Sequence, residues 1–145
     1  MIIYLGIGTN LGERETNLRR AIELLHERVG ECLACSSIYR SAPQGFVSDN
    51  EFANIVVVCD THYTPDEVLH ITQCIERDMG RTQKSVNGIY HDRVIDIDLL
   101  IAYNGTQAIH CNTDTLVMPH PRMNERPFVM KPFREVENLI REMNL

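Results

Sequence analysis

His91-Asp92-Arg93-Val94-Ile95-Asp96-Ile97-Asp98-Leu99-Leu100-Ile101 reads as one strand of a half-buried sheet. Side chains on a strand alternate between faces, so Ile95, Ile97, Leu99 and Ile101 point one way and Asp96 and Asp98 the other. The apolar set can enter a core. The two carboxylates then stand side by side, roughly 7 Å apart at the strand rise. Like charges that close repel, and a divalent cation relieves the conflict. Arg93, just before them, could share a phosphate anion with such a metal. The stretch reads as a site for a magnesium-bound polyphosphate, with a solvated strand face as the plain alternative. Carboxylates are poor strand formers, and two in mid-run favour the first reading.

The elements around this strand follow from periodicity and punctuation. Residues 2–7 form a first strand, and Gly6, Gly8, Asn10 and Gly12 make a turn-rich stretch after it. From about Thr16, the positions Leu18, Ala21, Ile22 and Leu25 have helical spacing, and Gly30 should end that helix. Residues 33–39 suggest a second strand. Residues 41–50 are a loop carrying Pro43, Gly45 and Asp49-Asn50. A third strand follows at 52–59, with the apolar run Ile55-Val56-Val57-Val58. Thr64, Pro65 and Glu67 spell a helix start with a capping box. Val68, Ile71, Thr72, Ile75 and Met79 give that helix one face, and Gly80 ends it. Residues 81–92 are a polar loop expected to close over a bound nucleotide. The fourth strand spans 94–103, and Asn104-Gly105 turns it into a hairpin with 106–109. Proline-rich turns occupy 119–127. Val136, Leu139, Ile140 and Met143 suggest a short final helix.

The order is β-α-β-β-α-β. That predicts an α+β, ferredoxin-like sandwich: an antiparallel sheet with both helices on one face, plus a C-terminal hairpin and helix. At 145 residues the chain is one domain, 1–145. Apolar content of 43% and charged content of 23% are ordinary for a globular protein. A net charge of −6 argues against a nucleic-acid partner. No apolar run is long enough for a membrane span, and Met1-Ile2-Ile3-Tyr4-Leu5 lacks the basic start of a signal peptide, so a cytoplasmic monomer is expected. The five cysteines are scattered. Cys32-Leu33-Ala34-Cys35 has metal-type spacing but no second pair to match it, so reduced thiols serving as small apolar residues are expected.

Three further stretches could carry chemistry. Gly6-Ile7-Gly8-Thr9-Asn10-Leu11-Gly12 follows a strand and precedes a helix, but its spacing is not the dinucleotide G-x-G-x-x-G, so a tight strand-to-helix turn is expected. Gln73 and Glu76 are three apart on the second helix and share a face. Pro119-His120-Pro121-Arg122-Met123-Asn124-Glu125-Arg126-Pro127-Phe128 is a stretch stiffened by three prolines that presents a histidine, two arginines and an aromatic ring.

These residues carry a resemblance. Gly6-x-Gly8-Thr9-Asn10-x-Gly12, Phe52-Ala53-Asn54, Arg93-Val94-Ile95-Asp96-Ile97-Asp98 and Pro119-His120-Pro121-Arg122-Met123-x-x-Arg126-x-Phe128 resemble the 6-hydroxymethyl-7,8-dihydropterin pyrophosphokinases of folate biosynthesis, in order and along essentially the whole chain. The resemblance implies transfer of pyrophosphate from ATP to the pterin hydroxymethyl group, releasing AMP. It implies that Asp96 and Asp98 hold two Mg²⁺ ions on the triphosphate. Arg93 and Arg126 would meet phosphate, with His120, Gln73 and Glu76 near the nucleotide; Arg81 and Lys84, carried by the 81–92 loop, could meet the polyphosphate when that loop closes. Phe52 and Phe128 would sandwich the pterin, Asn54 would read its edge, and Ser41, Ala42 and Gln44 would offer backbone groups to it. Gln83 stands where the family carries a phosphate-contacting arginine. Rival classes are a ligand-binding protein without catalysis and a ferredoxin-like interaction domain; AMP release separates both from the enzyme.

Overall fold

The computed structural model describes residues 1–42, 51–80 and 94–143. Its central feature is an antiparallel sheet built from β1 (Ile2–Thr9), β2 (Glu31–Cys35), β3 (Tyr39–Ser41), β4 (Phe52–Asp60), β5 (Asp96–Asn104) and β6 (Gln107–Ala108), in the order β2-β4-β1-β5-β6 with β3 also on β4. Helices α1 (Arg14–Arg28) and α2 (Pro65–Asp78) cross between strands, giving the expected ferredoxin-like order. A two-stranded ribbon, β7 (Cys111–Asn112) with β8 (Val117–Met118), and a C-terminal helix, α3 (Pro127–Glu142), are additions.

The sheet is covered on both faces. Ile3, Leu5 and Ile7 of β1 pack with Leu18, Ala21 and Leu25 of α1 and with Val68 and Ile75 of α2. On the other face Tyr4, Val56, Val58 and Leu100 pack under Val129, Phe133, Val136 and Ile140 of α3. Only α1 and α2 share a face; the third helix makes a third layer. That explains the unbroken apolar run in β4, since Ile55 and Val57 face one helix layer and Val56 and Val58 the other. Glu135 of α3 fastens this layer to the connection between β2 and β3, accepting from the Ser37 N–H at 3.0 Å and the Ser37 hydroxyl at 2.9 Å.

Several expected boundaries shift. The second strand divides into β2 and β3, both paired to β4. Gly6 and Gly8 belong to β1 rather than to a turn; the turn is made at Gly12, whose φ is 70°. The Asn17 side chain braces that turn by donating to the Leu11 carbonyl at 2.8 Å. Gly30 does follow α1, but without the left-handed φ of a glycine C-cap: a Cβ there would lie 2.0 Å from the Asp60 carbonyl oxygen, so close backbone approach requires the glycine. The α2 start holds as read, with the Thr64 hydroxyl accepting from the Glu67 N–H and the Glu67 carboxylate from the Thr64 N–H. Gly80, at φ 96°, follows its end.

The final helix is not short. It begins at Pro127, a position where the missing N–H would have had no partner, and it carries Pro132 inside it. The hairpin after β5 is present, pairing Asn104 with Gln107. In β5 itself the register against β1 slips, Tyr4 pairing with Ile101 and Leu5 with Leu99. One extra residue there reverses the alternation. Ile97 and Leu99 face α1 and α2 as expected, but Ile101 faces α3 together with Leu100 and Tyr103.

Candidate active site

The register of three strands sets the floor of a pocket of about 300 Å³. Gly8 of β1 lies between Asn54 of β4 and Asp96 of β5; one pleat further, Gly6 lies between Val56 and Asp98. All of these project to the α3 face. The glycines leave the centre of the floor bare. A Cβ on Gly8 would meet Asn54 Oδ1 at 2.6 Å, so Asn54 occupies the space that any other residue at position 8 would need. The walls are aromatic on one side and acidic on the other, with Phe52 and Phe128 lining the pocket with Asp96 and Asp98. Arg122, Glu125 and Arg126 close the rim from the segment that leads into α3.

The side chains are held by their own partners. Asn54 is 8% exposed and donates through Nδ2 to the Ser41 hydroxyl at 3.4 Å, which ties β3 to the pocket. The Arg126 guanidinium lies 5.8 Å from the centre of the Phe128 ring, a cation–π contact. His120 is anchored at its backbone, its N–H donating to the Leu100 carbonyl at 2.7 Å. Its Nδ1 accepts the Arg122 N–H at 3.2 Å, which leaves Nε2 to carry the proton of the neutral ring. Burial and then the Arg126 charge lower the His120 pKa; Asp96 pulls it up and Arg122 down. The neutral imidazole is therefore the favoured form.

Glu76 occupies an unexpected place. It is 3% exposed, on the helix layer opposite the pocket, and its Oε2 accepts the Ile97 N–H at 2.8 Å. Ile97 is the residue between the two aspartates. A buried carboxylate from α2 thus pins the strand that carries them. Gln73 is on α2 as well, half-buried, and neither residue lines the pocket.

The structure brings Ser41, Phe52, Asn54, Asp96, Asp98, Arg126 and Phe128 to one pocket. His120 stands beside it and Ala42 is exposed at the end of β3. Gln44, Arg81, Lys84 and Arg93, with the proposed closing loop, lie outside the described residues. Gly6 and Gly8 were not legible as floor residues nor Glu125 as a rim residue, while Arg122 stood out in its loop without a place in the pocket. Glycines at alternate positions of an otherwise apolar strand were the available signal for the first pair.

Paired carboxylates, guanidinium groups and two aromatic rings around one pocket suit a transferase that moves a phosphoryl-type group to or from a flat heterocycle. The comparisons narrow this class. The family model for 7,8-dihydro-6-hydroxymethylpterin-pyrophosphokinase (HPPK) matches residues 4–138. The chain is 46% identical over 137 residues to a 2-amino-4-hydroxy-6-hydroxymethyldihydropteridine pyrophosphokinase of Porphyromonas gingivalis, covering 93% of this chain and 90% of that one. It is 39% identical to the Bacillus subtilis protein of the same name, covering 93% and 77%. A crystal structure of an HPPK-DHPS protein in complex with substrates superposes with a TM-score of 0.65 at 18% identity, covering 90% of this chain and 39% of that larger one, and so shares the fold. The chain belongs to the HPPK family.

Proposed function

We propose that this protein transfers the β,γ-pyrophosphate of ATP to the hydroxymethyl group of 6-hydroxymethyl-7,8-dihydropterin, releasing AMP, as a step of folate biosynthesis. The observation that carries the reading is the single pocket that joins Asp96 and Asp98 to Phe52, Asn54 and Phe128. The pterin hydroxyl oxygen forms a bond to the β-phosphorus as its proton passes to solvent, and the bond from that phosphorus to the oxygen it shares with the α-phosphate breaks, that oxygen leaving on AMP. Such a transfer needs alignment and charge neutralisation more than covalent help from the protein.

The donor set fits magnesium. Among the described residues no group of three or more His, Cys, Asp or Glu side chains could hold a metal unaided. Two carboxylates completed by substrate phosphates are a characteristic magnesium arrangement. Asp96 and Asp98 would hold two such ions, which when bound supply Lewis-acid neutralisation of the triphosphate. Arg126, on the pocket rim, would meet phosphate oxygens; Arg93 would do so by the family pattern, and Arg81 and Lys84 by their position in the 81–92 loop, Lys84 beside the Gln83 that replaces the family's arginine. His120, donating from Nε2 as a neutral ring, adds a hydrogen bond near the nucleotide. Phe52 and Phe128 stack on the pterin, while Asn54 and the backbone around Ser41, Ala42 and Gln44 read its edge. Gln73 is assigned to the nucleotide side, and Glu76 serves it by holding the Asp96–Asp98 strand. A cytoplasmic location and a monomeric state belong to the same proposal. Among the described residues no helix is long and apolar enough to cross a membrane.

The test is incubation with ATP, Mg²⁺ and the reduced pterin. AMP and pyrophosphorylated pterin should form in equal amounts and only with all three present. Nucleotide binding without AMP would mean a binding protein, and absence of Mg²⁺-dependent nucleotide binding would mean an interaction domain.

A further inference from the structure

Cys32 and Cys59 lie far from the pocket, and the proposed reaction uses neither. They are direct cross-strand partners on β2 and β4, and their sulfurs are 3.5 Å apart. Partners in an antiparallel pair have Cα atoms about 4.5–5.5 Å apart, inside the span a disulfide bridges. The two thiols are unlike. Cys59 is fully buried in the α1–α2 layer. Cys32 is only partly buried, on the edge strand of the sheet. The Cys32 backbone N–H also donates to His26 Nδ1 at 3.2 Å, which holds that imidazole against the pair.

We propose that Cys32 and Cys59 form a dithiol that small hydroperoxides oxidise to an intramolecular disulfide, Cys32 being the attacked thiol and Cys59 the resolving one. Cys32 is suited to attack: the bond from the Cys59 S–H, opposed by burial and supported by the nearby His26, brings its pKa down to about 7. Cys59 is pushed the other way by that same bond and by burial, so it keeps its proton. Cys35 is more exposed, yet burial of its sulfur, with the Cys32 and Glu135 charges beside it, raises its thiol pKa. Exposure alone would select Cys35, and thiolate character selects Cys32.

The chemistry balances in two steps. The Cys32 thiolate attacks the peroxide, the O–O bond breaks, and Cys32 becomes a sulfenic acid while the other oxygen leaves as water or an alcohol after taking a proton from solvent. The Cys59 sulfur then attacks the Cys32 sulfur, the S–O bond breaks, and the Cys59 proton joins the departing hydroxide as water. Two thiols are oxidised and one peroxide is reduced.

The experiment is titration of the full chain with hydrogen peroxide, followed by mass spectrometry with and without reduction. The expected result is loss of two hydrogens and two thiols, a cross-linked pair of peptides carrying Cys32 and Cys59, and full return on adding dithiothreitol. Cys59→Ser, which keeps a donor to the Cys32 sulfur, should instead accumulate a dimedone-reactive sulfenic acid on Cys32, and Cys32→Ser should leave Cys59 unoxidised. Preferential oxidation of Cys35, or a Cys32 that over-oxidises in the unaltered protein without ever linking to Cys59, would overturn the assignment. Both of those readouts come from the unaltered protein and do not depend on either variant folding.

Discussion

Gly8→Ala is the sharpest perturbation the pocket allows. The added methyl would sit 2.6 Å from Asn54 Oδ1, well inside van der Waals contact. Either the Asn54 side chain turns away or β1 and β4 separate locally. Overpacking of this kind costs about 1–3 kcal/mol. Replacing a mid-strand glycine by alanine returns about 0.5–1 kcal/mol of backbone entropy. The net expectation is a destabilisation of about 0–2.5 kcal/mol in urea unfolding, centred a little above 1, since both terms act at once. Displacing Asn54 also breaks its bond to Ser41 and removes the group assigned to the pterin edge, so pterin affinity should fall about tenfold, the equivalent of one hydrogen bond of about 1.4 kcal/mol. Gly6→Ala is the control. Its methyl would meet Leu100 at 3.4 Å, a contact that a small shift accommodates, and stability should stay within about 0.5 kcal/mol. Adding Asn54→Ala to Gly8→Ala should recover stability relative to the sum of the single changes, with a coupling of about 1 kcal/mol. Unchanged stability and unchanged pterin affinity in Gly8→Ala would refute the assignment of that glycine to the space beside Asn54.

Asp96→Asn and Asp98→Asn should each lower turnover by several orders of magnitude and raise the Mg²⁺ requirement, while thermal stability without metal holds or rises because a repulsion is removed; near-normal turnover in either would remove the metal assignment. Phe128→Ala should weaken pterin binding more than ATP binding, since stacking adds on the order of 1 kcal/mol beyond area burial, and calorimetric titration of each ligand should show the difference. Glu76→Ala leaves the Ile97 N–H without its carboxylate and should cost about 1–3 kcal/mol in unfolding free energy, with weaker Mg²⁺ binding, whereas Glu76→Gln should recover much of both; equal behaviour of the two variants would mean the bond positions nothing. His120 has a lowered folded pKa, so its neutral form is favoured in the native state and the unfolded chain takes up its proton first. Stability from this group is therefore present above an unfolded pKa of about 6.5 and lost as pH falls through the lower folded value. Denaturant unfolding from pH 7 to pH 5 should be less pH-dependent in His120→Gln.

What the sequence disclosed depended on whether the signal was local. The α2 start was legible because Thr64, Pro65 and Glu67 satisfy one another within a single turn. The carboxylate face of β5 was legible because alternation is a property of the strand alone. Gly6 and Gly8 were misread because a glycine in a strand and a glycine in a turn differ only in their neighbours across the sheet. The length of α3 was hidden by Pro127 and Pro132, which resemble turn residues until the first is seen at a helix start and the second buried under the sheet. Glu76 could not be placed at all from its spacing: its partner is a backbone N–H on another element, 21 positions away. The clustering of the pocket residues was anticipated through the family pattern, which already encodes tertiary proximity that periodicity cannot.

The slip of register in β5 makes one strand present two different surfaces in succession. Up to Leu99 the α3 side of the strand is acidic and open to the pocket; from Leu100 onward the same side is oily, and Tyr103 meets Tyr4 edge-on at 6.2 Å. Were the strand to alternate regularly through Leu100 with no slip, Ala102 would face α3, and Ile101 and Tyr103 would be driven into the layer already filled by α1 and α2. The length of this strand is therefore under tighter constraint than its composition. A conservative exchange at Ile101 alters packing in one place, whereas a residue inserted between Ile101 and Tyr103 would turn the end of the strand over, taking Tyr103 and its edge contact with Tyr4 out of the layer beneath α3.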